Sequence, residues 1–276
     1  MNPTSTTPVT ARTLEVPGAR LHFEVRGAGS LVVLVGAPMV AAAFAPLADL
    51  LAAGHTVLTT DPRGVGASVL DDPAQDSTPE LRADDLARLI THLDAGPAVV
   101  FGSSGGAVTA LALAQARPDL VTKVIAHEPP LVELLDDRAE MRKQTEDLVA
   151  IYQSGDVLGA WRKFFGDAGI ELPEQALEQM FGGDRDPAQV ADESFWFNHE
   201  IRGSTFWQPD LERLRAVSAR LVIGIGETST GQTCDRTSRA LADLLGLTPT
   251  MFPGDHTGFV GEPDIFDHRL RAVLGD

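Results

Sequence analysis

The sequence is nearly free of cysteine, with Cys234 the single example in 276 residues. One cysteine cannot form an intramolecular disulfide or a thiolate metal site. Long apolar runs are also missing, because Gly36, Pro38 and Pro46 interrupt the longest apolar stretch, residues 31–51. We therefore expect no membrane-spanning segment and no membrane partner.

Basic residues are scarce. The chain has 22 Lys and Arg against 39 Asp and Glu, a formal net charge of −17. So acidic a surface repels phosphate backbones and anionic lipid, so we expect no nucleic-acid partner. Residues 1–11 lack the basic and apolar regions of a secretory signal, and we interpret them as a flexible N-terminal tail on a cytoplasmic protein.

Apolar runs typical of buried strands alternate with segments of helical periodicity along most of the chain. The strand-like runs lie at residues 31–35, 55–60, 98–101, 121–126 and 221–223, and the helix-like segments include residues 80–93, 105–116 and 264–274. Repeated strand–helix–strand units predict an α/β fold with a mostly parallel sheet and helices on both faces.

Residues 131–214 break this alternation. They contain helical periods, most of the aromatic residues and no convincing strand, so we predict a helical cap between core segments 12–130 and 215–276. Most of these aromatic residues are expected to pack the cap itself. Small-molecule sites have apolar walls and few polar groups, so the predicted substrate-binding residues are Trp196, Phe206 and Trp207 as walls, with His199 as a polar anchor.

The strongest chemical signal is the segment G-S-S-G-G at residues 102–106. It fits the pattern G-x-S-x-G, with Ser104 at its centre, directly after an apolar strand and before an Ala/Leu-rich helix. That context is typical of a nucleophile elbow, in which a strained turn exposes the serine hydroxyl. The alternative is an ordinary Gly/Ser loop that begins a helix.

A serine hydroxyl needs a base, and the base needs a carboxylate that orients it. Among the seven histidines, only His256 lies in a glycine-flanked loop after the last predicted strand, so it is the candidate base. Two glutamates, Glu128 and Glu227, end predicted strands at the same sheet edge. Neighbouring strands are about 4.8 Å apart, so the residues alone leave the acid open between the two.

Together, Ser104, His256 and the loop D-P-R-G-V-G-A-S at residues 61–68 resemble the α/β-hydrolase superfamily, over residues 12–276. Within it, H-E-P-P at residues 127–130 and P-G-D-H at residues 253–256 are similar to the acid segment and histidine loop of the zearalenone lactonases. The resemblance implies the α/β-hydrolase fold and favours Glu128 over Glu227 as the catalytic acid.

One segment departs from the superfamily. Most members have His-Gly after the third strand, where this chain has V-G-A-P at residues 35–38. Because that loop contributes a backbone N–H, the resemblance still implies an oxyanion hole formed by the N–H groups of Ala37 and Gly105. The expected activity is hydrolysis of a bulky hydrophobic ester or lactone, of which a zearalenone-like macrolactone is one example, through an acyl-enzyme.

Several alternatives stay open at the level of sequence. The same fold and triad serve carbon–carbon bond hydrolases and cofactor-free peroxidases, and a noncatalytic ligand receptor could keep the triad. Dehalogenases and epoxide hydrolases are disfavoured, since their nucleophile is an Asp where this chain has Ser104. No complete nucleotide-binding or zinc motif occurs, so we expect no cofactor and no metal. Homo-oligomerisation is left open.

Overall fold

The computed structural model describes residues 8–276. Most of the predicted tail, residues 1–7, lies outside the described residues. Thr10 and Ala11 already pair with Val25 and Glu24 in the first strand, so strand pairing begins slightly before the predicted boundary at residue 12.

Nine strands of the described residues form one sheet. They are β1 (Thr10–Val16), β2 (Ala19–Gly27), β3 (Ser30–Val35), β4 (His55–Thr60), β5 (Val69–Leu70), β6 (Ala98–Ser103), β7 (Val121–His127), β8 (Leu221–Gly226) and β9 (Thr250–Phe252). Their order is β1-β2-β4-β3-β6-β7-β8-β9, with β5 paired to β2. The pairs from β4 to β9 are all parallel and those that β2 makes are antiparallel, which confirms the predicted mostly parallel sheet.

Helices cover both faces of the sheet. They are α1 (Ala45–Leu51), α2 (Pro79–Leu93), α3 (Gly105–Ala116), α10 (Thr233–Leu245), α11 (Gly258–Gly261) and α12 (Pro263–Leu274), where the numbers follow chain order and α4–α9 are given below.

The packing of β3 explains why its sequence is a continuous apolar run. Leu31 and Val33 pack in the cluster that includes α2 and α3, whereas Val32 and Leu34 pack in the cluster that includes α1 and α12. Both faces of β3 are therefore buried.

The segment between β7 and β8 is helical. It contains α4 (Arg138–Gln153), α5 (Val157–Ala168), α6 (Glu174–Phe181), α7 (Pro187–Phe195), a π-helical turn (Trp196–Glu200), α8 (Ile201–Thr205) and α9 (Leu211–Ala216). Part of it has its own apolar cluster, which includes Leu148, Trp196 and Phe197. The boundaries 131–214 of a cap domain stay a prediction.

Polar contacts fasten these helices to the core. The Trp207 indole N–H donates to Glu80 of α2 at 2.7 Å, and the buried Arg82 guanidinium donates to the Ser204 hydroxyl at 2.8 Å. No helix among residues 8–276 combines the length and the apolar character that crossing a bilayer requires.

Candidate active site

Ser104 lies in the sharp turn between β6 and α3, with φ 57° and ψ −126°. Two glycines make this turn and its close packing sterically feasible. A Cβ at Gly102 would lie 2.3 Å from the carbonyl oxygen of Gly106, and one at Gly106 would lie 2.2 Å from that of Val35. Because any side chain there would clash with backbone, the G-x-S-x-G spacing directly produces the strained turn on which Ser104 sits.

Ala37 and Gly105, the predicted oxyanion-hole residues, lie next to each other beside Ser104. Ala37 follows β3, and a Cβ at Gly105 would lie only 2.5 Å from the Ala37 carbonyl oxygen. All three residues line one cavity. The two backbone segments therefore lie next to each other beside Ser104, and the oxyanion hole formed by their N–H groups stays a prediction.

The structure pairs His256 with Glu128. Nδ1 of His256 and Oε2 of Glu128 are 2.5 Å apart, and Oε1 of Glu128 accepts a 2.8 Å hydrogen bond from the Gly226 backbone N–H. Glu128 is fully buried at the end of β7, with φ 53°. Glu227 is exposed, and its backbone N–H donates to the Phe252 carbonyl. Of the two glutamates that the sequence left open, Glu128 is the one in contact with the imidazole.

In this pair, Glu128 and His256 each stabilise the charged form of the other. Burial alone raises the pKa of Glu128, but the hydrogen bond from His256 and the charge of its imidazole lower it to about 2, so the carboxylate is ionised near neutral pH. Burial alone lowers the pKa of His256. The neighbouring Cys234 and Glu128 outweigh that effect, and the pKa of His256 lies above its ordinary value. His256 is therefore a stronger base than a free imidazole.

His127 precedes Glu128 but points elsewhere. Its imidazole is fully buried, with its Nδ1 3.3 Å from the Ser103 hydroxyl, and it packs edge-on against Phe252 and Phe266. Burial lowers the pKa of His127 to about 4, so it is neutral near pH 7. Its carbonyl accepts a 3.0 Å hydrogen bond from the Ser104 N–H, which makes His127 part of the scaffold under the turn.

Ser104 and His256 both line a cavity of about 370 Å³. The walls on the far side come from the helical segment and are mainly apolar, including Met141, Leu148, Trp161, Phe164, Phe165 and Trp196. Trp161 stacks on Trp196 with ring centres 5.3 Å apart, and its indole N–H donates to Glu193. Small-molecule sites commonly measure about 300–1,000 Å³ and are lined in this way.

Of the four predicted pocket residues, only Trp196 lines this cavity. Trp207 is held away by its hydrogen bond to Glu80, and Phe206 packs against the Val132 cluster, where the Arg142 guanidinium lies 4.2 Å from the centre of its ring. The His199 imidazole lies 3.0 Å from the Asp76 carboxylate at the surface. Trp207 and His199 contact residues outside the helical segment, whereas Phe206 packs within it, and the sequence predicted none of these contacts.

Sequence reasoning missed two parts of the site. Trp161, Phe164 and Phe165 have the spacing of one helical face, and that pattern could have indicated a shared wall. Cys234 lies in the first turn of α10 and lines the same cavity. A ligand atom of Cys234 lies within 4.8 Å of one from Glu128 and one from His256. No local motif around Cys234 indicates this proximity.

The chain is similar to known hydrolases over nearly its whole length. Residues 31–267 match the model of the family described as the alpha/beta hydrolase family. The sequence is 32% identical over 269 residues to the uncharacterized hydrolase YraK of Bacillus subtilis, covering 95% of each chain. It is 33% identical over 189 residues to the 2-(acetamidomethylene)succinate hydrolase of Mesorhizobium japonicum, covering 66% of each.

Solved structures share the fold. The esterase EaEST from Exiguobacterium antarcticum superposes with a TM-score of 0.74 at 20% sequence identity, covering 97% of this chain and 100% of that one. This likeness, together with the family match, confirms the α/β-hydrolase fold predicted from the sequence.

Proposed function

The chain belongs to the alpha/beta hydrolase family, and we propose that it is a metal-free serine hydrolase of carboxylic esters or lactones. The observation that carries the proposal is the 2.5 Å contact between His256 and the buried Glu128, beside a cavity that the strained Ser104 also lines. A serine, a histidine and a carboxylate in this arrangement are the parts that acyl transfer requires.

In the proposed mechanism, the Ser104 hydroxyl attacks the substrate carbonyl carbon while His256 takes its proton. The tetrahedral oxyanion accepts hydrogen bonds from the backbone N–H groups of Ala37 and Gly105. The C–O bond then breaks, and His256 returns the proton to the leaving alcohol. Water, deprotonated by His256, releases the acyl group from Ser104. With a lactone, the alcohol and the acid stay in one molecule, a hydroxy acid.

Glu128 acts by orienting His256 and stabilising the imidazolium that forms in each half-reaction. Its low pKa keeps it charged, and the Gly226 N–H holds its second oxygen, so the carboxylate is already in place before substrate binds. The exposed Glu227 is the alternative acid that this assignment must exclude.

The lining of the cavity supports a bulky, hydrophobic and uncharged substrate. Among the described residues, no Lys or Arg lines it, while the acidic Asp167 and Asp255 do. A substrate carboxylate would therefore meet no fixed cation from a Lys or Arg side chain. The relative from Mesorhizobium is named for a succinate substrate, a dicarboxylate, and we propose that this chain instead accepts neutral esters or lactones, with a zearalenone-like macrolactone as one candidate.

A panel of neutral aryl and alkyl esters and lactones, including zearalenone, tests the proposal. We expect turnover by the wild type and at least a thousandfold less by Ser104→Ala, with an acyl adduct on Ser104 detectable by mass spectrometry after a rapid quench. Within the panel, the monoester of a dicarboxylic acid is compared with the neutral methyl ester of the same length. Equal rates for these two would contradict the charge preference.

Other outcomes would assign a different chemistry. Ligand binding without turnover would favour the receptor, perhydrolysis with acetate and peroxide would favour the peroxidase, and cleavage of diketones alone would favour the carbon–carbon hydrolase.

A further inference from the structure

Three side chains of metal-ligating types converge beside the cavity, which Cys234 and His256 line. Glu128 follows β7, Cys234 lies in the first turn of α10, and His256 lies in the loop after β9, yet one ligand atom from each lies within 4.8 Å of the other two. We propose that these side chains form an inhibitory site for Zn²⁺ or a similar borderline-soft divalent cation. The binding does not depend on the proposed hydrolysis; the inhibition rests on it.

The donor set selects the class of metal. Thiolate, imidazole and carboxylate are the three ligand types of protein zinc sites, whereas Mg²⁺ and Ca²⁺ favour oxygen ligands alone. The expectation that the chain has no metal came from its single cysteine and from the lack of a complete zinc motif in the sequence, and neither takes account of the His and Glu that the fold brings to Cys234.

The distances allow a site after a small adjustment. Bonds of about 2.0–2.3 Å to zinc place tetrahedral ligands about 3.3–3.6 Å apart. The 2.5 Å contact between His256 and Glu128 must therefore open by about 1 Å, and the wider separations, which reach at most 4.8 Å, must close by about 1 Å. Glu128 is fixed by the Gly226 N–H, but the His256 side chain is 21% exposed, and Cys234 is also incompletely buried. These two residues also line the cavity, which gives a metal ion a path of entry and an open fourth position for water.

Binding would remove the base from the reaction. A metal ion needs the thiolate of Cys234 and a neutral imidazole, so any protons on these groups leave to solvent as the bonds form. Once the imidazole is bound to the ion, and its contact with Glu128 is replaced, His256 no longer accepts the proton of Ser104. Zinc would therefore lower kcat without closing the cavity to substrate.

Cobalt reports on this site without any assay of activity. The full chain, freed of metal with a chelator, is titrated with Co²⁺, and thiolate ligation gives a charge-transfer absorption band in the near ultraviolet. We expect one equivalent to bind, Zn²⁺ to displace it, and the band to be absent in Cys234→Ala and Cys234→Ser. The matched control is His268→Ala, which removes an exposed histidine of α12 that does not line the cavity and should keep the band.

Inhibition is measured as the ratio of ester hydrolysis with and without a small excess of Zn²⁺. For the wild type we expect at least a tenfold loss that EDTA reverses and that Mg²⁺ does not cause. For Cys234→Ala the ratio should lie close to one, whatever its rate without zinc. A cobalt band that persists in both Cys234 variants, or no cobalt binding by the wild type, would overturn the site. A cobalt band in a wild-type protein that hydrolyses no ester would retain the site and reject the proposed function.

Discussion

Ser104 and Glu128 both have a positive φ, 57° and 53°, and each directly follows one of two adjacent parallel strands, β6 and β7. The Ser104 N–H donates to the carbonyl of His127, the residue before Glu128, at 3.0 Å. Non-glycine residues in this region cost of order 1–3 kcal/mol each. The pairing of β6 with β7 therefore fixes the candidate nucleophile and the candidate acid relative to each other before any substrate binds.

The first prediction concerns that acid. Glu128→Gln should lower kcat by about 10³–10⁴-fold, because a neutral amide cannot stabilise the His256 imidazolium as the carboxylate does. Glu227→Gln is the matched control and should change kcat less than threefold. Steady-state kinetics with circular dichroism to verify folding check both. A severe loss in Glu227→Gln with a mild one in Glu128→Gln would assign the acid to Glu227.

The second prediction concerns pH. Because the pKa of His256 is raised and only the neutral imidazole accepts a proton, kcat/KM should still be increasing with pH above neutrality. In Cys234→Ala one cause of the raised pKa is gone, so the rising limb should move to lower pH. Profiles are measured with EDTA present to exclude metal effects. Superimposable limbs for the two proteins would show that Cys234 does not influence His256.

The third prediction concerns the cavity wall. Trp161→Ala and Trp196→Ala should each lower kcat/KM about tenfold or more for a bulky aromatic ester, because burying an aromatic group contributes roughly 1.5–3 kcal/mol. A short acetate ester should be nearly unaffected. Trp207→Phe, which alters a core contact away from the cavity, should affect both substrates equally. Equal losses on both substrates in the Trp161 variant would mean that Trp161 packs the helical segment and does not contact the substrate.

The fourth prediction concerns Glu200, in the π-helical turn. It is 1% exposed, neither carboxylate oxygen has a hydrogen-bond partner among residues 8–276, and burial raises its pKa to about 7, although Arg82 opposes the shift. Its unfolded pKa is lower, so the folded state is favoured at acidic pH and loses stability as pH rises from about 4.5 to about 7.

Glu200→Gln removes this titration. The variant should gain up to about 3 kcal/mol in free energy of unfolding relative to wild type between pH 4.5 and pH 8. Urea denaturation at both pH values measures it, with the exposed Glu227→Gln as a control whose difference from wild type should not depend on pH. A Glu200→Gln difference that is equally independent of pH would mean that the carboxyl does not titrate in the folded state.

The sequence predicted the features that depend on local pattern. The apolar run of β3 required burial on both faces, and the glycines around Ser104 required a tight strand-to-helix turn. Both follow from short-range sterics and periodicity. The choice between Glu128 and Glu227 did not, since both end neighbouring strands and only the three-dimensional arrangement shows which carboxylate is buried against His256.

Side-chain direction in the helical segment was equally inaccessible. Trp196 and Trp207 are both aromatic and mostly buried, and the sequence does not distinguish them. In the structure the Trp207 indole N–H donates to Glu80 of α2, and Trp207 lies outside the cavity. The sequence could not indicate that Cys234 lies near His256. The two residues come together because β8, which precedes α10, and β9, which precedes the His256 loop, are neighbours in the sheet. A short segment of sequence does not predict contacts that depend on the order of strands in the sheet.

The lack of Lys and Arg around the cavity also bears on how a reaction there would end. Hydrolysis turns an uncharged ester into an acid that ionises near neutral pH, beside Asp167 and Asp255 and with no Lys or Arg among the described lining residues to hold it. The product carboxylate is therefore repelled by Asp255 and by Asp167, whose charge Lys163 partly offsets, and among the described lining residues His256 alone can carry an opposing positive charge. The negative charge that the reaction creates would assist departure of the product, and an added carboxylate product should inhibit more weakly than its neutral amide.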